Sequence, residues 1–176
     1  MRFAIGRTMG ATPVNSAAAI MPAFHNLAGI PMTANRAVLT GLVRGEWGFA
    51  GVQVSDYAAI AELVVQGVAA DLAEAAALAL RAGVDIDLMG NAYAGGLPAA
   101  LRRGLVEMAD LDGAVRRILA LKLALGLFED PYRRGRSLGA EQVAAHRALA
   151  LEAARRAIVL LTHRTGVLPL AQSGGP

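Results

Sequence analysis

Asp56 is the residue whose type and setting point most directly to chemistry. It closes the stretch GEWGFAGVQVSDY (Gly45 to Tyr57), in which Gly48 and Gly51 bracket a turn. Val52 and Val54 then give a short β-branched run suited to a buried strand. An alanine-rich helical pattern, AAIAELVVQ (Ala58 to Gln66), follows at once. Strand, carboxylate and helix make a βα unit, and the carboxyl ends of such strands carry the chemistry of α/β barrels. Asp56 therefore reads in two ways. It is a carboxylate at the mouth of the fold, or it caps the following helix, as Asp does well. Asp85 and Asp87 are the other acidic candidates: two apart on a strand, they share one face. They suit a carboxylate pair or metal ligands, but barrel strands commonly bury hydrogen-bonded Asp, and that structural reading is preferred. His25 is a polar loop residue, and His146 and His163 have no ligand spacing between them. Trp47 is expected to pack, and Glu46, Glu107 and Glu129 to be surface charges. No metal or cofactor is expected.

The elements that must position these residues alternate along the chain. Ala17 to Phe24 is an apolar run that suits a strand, and a loop with His25, Asn26, Gly29 and Pro31 follows. Thr33 or Asn35 can cap a helix over about Arg36 to Arg44, with Val38, Leu39, Leu42 and Val43 on one face. After the Val52–Val54 strand and its helix, a second helix spans about Ala70 to Arg81 and stops at Gly83. Val84 to Met89 alternates as a strand does. Gly90 to Pro98 reads as a glycine-rich loop, with helices over Ala99 to Arg103 and Asp110 to Leu125. Leu111, Val115, Ile118, Leu119 and Leu125 form the apolar stripe of the last one. An Arg-rich loop (Arg133, Arg134, Arg136), a long helix over Ala140 to Arg156, a strand at Ile158 to Leu161 and a turn at Gly166 to Pro169 complete the pattern. Three strands, each followed by helix, argue for parallel βα units. A complete eight-stranded barrel takes about 250 residues, and this chain has 176.

Composition excludes other classes. Hydrophobic residues make up 55% of the chain, enough for one domain with a core. Mean hydropathy is +0.45, yet no apolar run reaches the roughly 18 residues that span a bilayer. The net charge of +3 comes from arginines scattered in pairs, Arg102-Arg103, Arg116-Arg117 and Arg155-Arg156, read as solvated helix faces. Aromatics are only 5%, too few for stacking platforms, so a nucleic-acid partner is not expected. There are no cysteines. Met1 to Ser16 has no core of a secretory signal, which leaves cytoplasm and periplasm open.

The stretch MPAFHNLAGIPMTANRAVLTGLVRGEWGFAGVQVSDYAAIAEL (Met21 to Leu63) closely resembles family 3 glycoside hydrolases, the β-glucosidase group. The likeness continues through AGVDIDLM (Ala82 to Met89), AVRRILALKLALGLFEDPYR (Ala114 to Arg133) and EAARRAIVLL…GVLPL (Glu152 to Leu170). It implies that Asp56, in the place of the Asp of the family's S-D-W element, is the catalytic nucleophile. Tyr57 replaces the usual Trp, keeping an aromatic face for a sugar and adding a hydroxyl. Phe24 stands where many members carry Tyr or Phe near the sugar site, with core packing equally open, and His25 where Asn is frequent. Met21 joins Phe24 and Tyr57 as a substrate-binding candidate.

The family's acid/base and its sugar-gripping Lys-His pair find no match in this chain. The resemblance thus implies a partial (β/α)8 barrel, the last three βα units, followed by a helical linker. Residues 1–16 form a leader without family match, 17–130 the barrel portion, and 131–176 a linker toward a second domain. The implied reaction is retaining hydrolysis of terminal β-linked sugars, with a β-glucoside or oligosaccharide as substrate. β-Xylosidase and β-N-acetylhexosaminidase are alternatives within the family. The alternative outside enzymology is a non-catalytic barrel fragment that needs a partner chain or associates with itself through exposed edges.

Overall fold

The computed structural model describes residues 17–132, 135, 139–163 and 168–169. The expected leader, the arginines of the Arg-rich loop and the first half of the Gly166–Pro169 turn lie outside them. The chain divides into two compact units, Met1–Arg133 and Arg134–Pro176.

In the first unit the order is β1 (Ala19–Ile20), β2 (Asn26–Leu27), β3 (Ile30–Pro31), a 3-10 turn (Met32–Ala34), a π-helix (Ala37–Glu46) and β4 (Val52–Gln53). Then come α1 (Glu62–Val65), α2 (Leu72–Ala82), α3 (Ala92–Arg102) and α4 (Met108–Ala124). β1 pairs in parallel with β4, Ala19 opposite Val52 and Ile20 opposite Gln53. Val54 makes a further parallel bridge to Ile86. Three segments therefore run side by side with their carboxyl ends at one edge. β2 and β3 form an antiparallel hairpin, turned by Ala28 and Gly29 at φ +53° and +79°, the backbone of a type I′ turn.

The core lies where helices cover this small sheet. Leu39, Ile60, Leu63, Ala75, Ala79 and Val84 form one buried cluster. Ala73, Ala76, Leu80, Leu97, Ala100 and Val106 form the other. α2 contributes to both, so it is packed on two sides, and alanine is the residue that lets neighbours approach on each. Its carboxyl end follows the expected signal at Gly83. Asp71 caps it by accepting from the Glu74 amide at 2.9 Å, and Gly83 ends it at φ +111°.

Several expectations are corrected. The helix expected over Ala58–Gln66 shrinks to α1, because the Ala58 N–H is drawn to Leu88 O (2.9 Å) and Ala58 sits at φ +55°, outside helical space. The segment read as a Gly90–Pro98 loop belongs mostly to α3, which carries Pro98 inside it. Its glycines serve packing: a Cβ on Gly96 would lie 2.4 Å from Leu72 O and 3.0 Å from Ala76 Cβ. The α4 stripe is only partly covered: Leu111, Ile118 and Leu125 are half-buried, Val115 and Leu119 keep 42% and 45% exposure, and Ala114 alone in the helix is buried. In the second unit α5 (Ala140–Ala157) has no buried residue. Ile158 to Leu161 forms no strand among the described residues, since no partner strand satisfies its backbone there.

Candidate active site

The site is built from the bottom of the ladder upward. Ile86 N donates to Gln53 O (3.1 Å) and Ser55 N to Ile86 O (2.8 Å), the regular parallel pattern. Beyond Ser55 the chain leaves the sheet. Asp56 lies there, at the carboxyl end of β4, half-buried. Its Oδ1 accepts from the Tyr57 amide at 2.7 Å, which fixes the carboxylate's orientation. Among the described residues it has no cationic partner and no bond at Oδ2. The helix-cap reading of Asp56 is not realised: α1 begins six residues later, with Ala61 at its N-cap position and no side-chain cap bond.

Met21 follows β1 directly, and Val54 N donates to Ile20 O at 3.0 Å. Met21 and Asp56 thus leave adjacent parallel strands at the same edge. Met21 is 50% exposed, Tyr57 60% and Phe24 42%. None of the three is buried among the described residues. Phe24 immediately precedes the β2–β3 hairpin, whose base is closed by Met32 N donating to His25 O at 3.1 Å, and the His25 side chain is exposed. Trp47, expected to pack, is mostly covered but keeps 37% exposure. Glu46, Glu107 and Glu129 are exposed as expected.

The other two carboxylates are committed elsewhere. Asp85 has no side-chain surface and meets Arg44 Nη2 at 2.6 Å and Arg117 Nε at 2.8 Å, while also accepting from Gln53 N at 2.8 Å. Burial pushes the Arg44 guanidinium below its ordinary range and Asp85 draws it back up. Asp87 Oδ2 accepts from the amides of Ala92 and Tyr93 at the start of α3. Burial, then the charges of Asp85 and Asp87, push the Tyr93 phenol well above its ordinary value. Its hydroxyl donates to Val84 O at 2.6 Å. The structural reading of both aspartates holds, and no group of three or more metal-ligating side chains occurs among the described residues.

Residues that pattern reading missed are Arg44, Gln53, Ser55 and Arg117. Arg117 in particular is not part of a solvated face, since it reaches the buried Asp85. Ser55 is fully buried, and its only signal was its place before Asp56.

Comparison with known proteins gives this arrangement its family. Residues 11–121 match the glycosyl hydrolase family 3 N terminal domain, and the chain belongs to that family. It is 41% identical over 162 residues to a periplasmic beta-glucosidase of Salmonella typhimurium, covering 89% of this chain and 21% of the relative. Beta-D-xylosidase 1 of Arabidopsis thaliana is 32% identical over 157 residues, covering 88% of this chain and 20% of that protein. The structure of a beta-glucosidase from Listeria innocua in complex with glucose superposes with a TM-score of 0.68 at 39% identity, over 89% of this chain and 22% of that one. The chain thus spans about a fifth of the length of the relatives it matches.

Proposed function

We propose that this chain is the nucleophile-bearing part of a retaining β-glucosidase, its three parallel segments being the last three βα units of a (β/α)8 barrel, with Asp56 as the attacking group. The observation that carries the reading is the contrast among three neighbouring aspartates. Asp85 is bound to two arginines, and Asp87 is bound to two amides with its other oxygen buried, while Asp56 stands half-buried at the strand end with Oδ2 unbonded.

Retaining hydrolysis needs a carboxylate that attacks the anomeric carbon and a second carboxyl group about 5–5.5 Å away that passes the proton. In this reading Asp56 Oδ2 forms the glycosyl ester while the acid protonates the departing oxygen. Water, deprotonated by the same group, then releases the sugar. Tyr57 lends its ring to a sugar face, with Met21 and Phe24 along the same edge. Relatives named for xylosidase activity make a β-xyloside the second substrate reading.

The test is a chimaera in which residues 17–170 replace the corresponding segment of the Salmonella typhimurium relative. A 2-deoxy-2-fluoroglucoside, which forms the ester but releases it slowly, is expected to label the peptide holding Val54 to Tyr57, and Asp56→Asn is expected to abolish the label. Label at Asp85 or Asp87 would identify another nucleophile. Faster labelling by the fluoroxyloside would favour the second substrate.

A further inference from the structure

The regular ladder between the Val54 and Ile86 segments stops in an unusual way. After Ser55 N donates to Ile86 O, the next parallel bond would run from Leu88 N to the Ser55 carbonyl. Leu88 N instead donates to the Ser55 hydroxyl, at 2.8 Å. That hydroxyl in turn donates to the carbonyl oxygen of Asp56, at 2.9 Å. Ala58 N then returns to Leu88 O at 2.9 Å, with Ala58 held at φ +55°. One buried side-chain oxygen takes the place of a strand carbonyl on one side and ties down the Asp56 backbone on the other. Both hydrogen-bonding capacities of the hydroxyl are used, as donor and as acceptor.

We infer that Ser55 is a positioning residue for Asp56: its hydroxyl ends the β-ladder one residue early and so aims the Asp56 carboxylate out of the sheet edge. This rests on the assignment of Asp56 as nucleophile. Without the hydroxyl, Leu88 N finds an acceptor only by pairing with the Ser55 carbonyl. That extends the ladder and draws Asp56 toward the strand direction. Reacting groups misplaced by about 1 Å lose roughly 10²-fold in rate.

The experiment compares Ser55→Thr with Ser55→Val in the chimaera, since these side chains have nearly the same shape and differ in the hydroxyl. The rate of fluoroglucoside labelling, counted per folded molecule, is read alongside the thermal midpoint. Ser55→Thr is expected to rescue labelling close to the parental rate even where the added methyl lowers the midpoint. Ser55→Val is expected to label about 10–100-fold more slowly, with the label still on the Val54–Tyr57 peptide. Equal labelling rates in the two variants overturn the inference and leave the role of Asp56 standing. An unlabelled Val54–Tyr57 peptide in the parent overturns both. If Val at this position prevents folding while Thr folds, Ser55→Ala replaces it in the comparison under the same criteria.

Discussion

At Asp85 two guanidinium groups converge on one carboxylate that has no exposed surface, and the Arg44 side chain also donates to Gly51 O and Gly83 O. The arrangement welds the π-helix, β4, the Ile86 segment and α4 together beneath the site. Removing one partner of a buried pair leaves charge uncompensated, which costs about 3–5 kcal/mol. Asp85→Asn is therefore expected to lower the stability of the chimaera by about that amount, read as a shift in its denaturant midpoint. Labelling at Asp56 per folded molecule should persist. A labelling loss without a stability loss would show that Asp85 belongs to the chemistry instead. The contrast with Asp56 was half legible in the sequence. The Ser-Asp-Tyr text and its place between strand and helix marked Asp56, and the alternation of Val84 to Met89 put Asp85 and Asp87 on one face. What pattern could not give was the partners. Arg44 lies 41 residues and Arg117 32 residues from Asp85, and ion pairs at such separations leave no local trace.

Elements with their own start and stop signals were the most legible. α2 ends at Gly83, left-handed at φ +111°, as its text signals, and α4 is followed by Gly126 at φ +69°. α3 was misread as loop because glycine and proline usually punctuate helices. Here close approach overrides that preference, since α3 crosses α2 at the two glycines. The consequence differs between them. A Cβ on Gly96 meets backbone, Leu72 O at 2.4 Å, whereas on Gly95 it meets only the tip of the Leu72 side chain at 3.1 Å. Gly96→Ala is expected to destabilise by about 1–3 kcal/mol, the usual cost of overpacking. Gly95→Ala should be neutral or slightly stabilising, because alanine favours a helix over glycine by about 1 kcal/mol. Paired midpoints from urea unfolding check this, and equal losses at both positions would refute the packing account. The short α1 has a similar lesson. Alanine-rich text favoured a helix from Ala58, but one tertiary bond to Leu88 O held that residue in a left-handed turn.

For the molecule as a whole, the described sheet has β1 at one edge and the Ile86 segment at the other, with no further strand beside either among the described residues. Parallel strands are normally buried on both faces, and open edges invite pairing with other chains. Val115, Leu119 and Leu123 on α4 add an exposed apolar row of the kind that marks a contact surface. The purified 176-residue chain is therefore expected to elute above monomer mass at micromolar concentration. It is also expected to release almost no nitrophenol from aryl β-glucosides. The second expectation follows from the carboxylates rather than from association. Of the two aspartates near the strand ends besides Asp56, Asp85 is held by two arginines and Asp87 by two amides with its remaining oxygen buried, so neither is placed to pass the proton. Loss of general acid–base help alone lowers the rate by about 10²–10⁴, and an activated leaving group only partly relieves that need in the first step, not in the second. Slow ester formation without turnover would agree with Asp56 acting alone. Sustained turnover by a monomeric fraction at a rate normal for glycosidases would mean that a proton donor lies within this chain, and that Asp87, rebuilt on substrate binding, is the first residue to substitute.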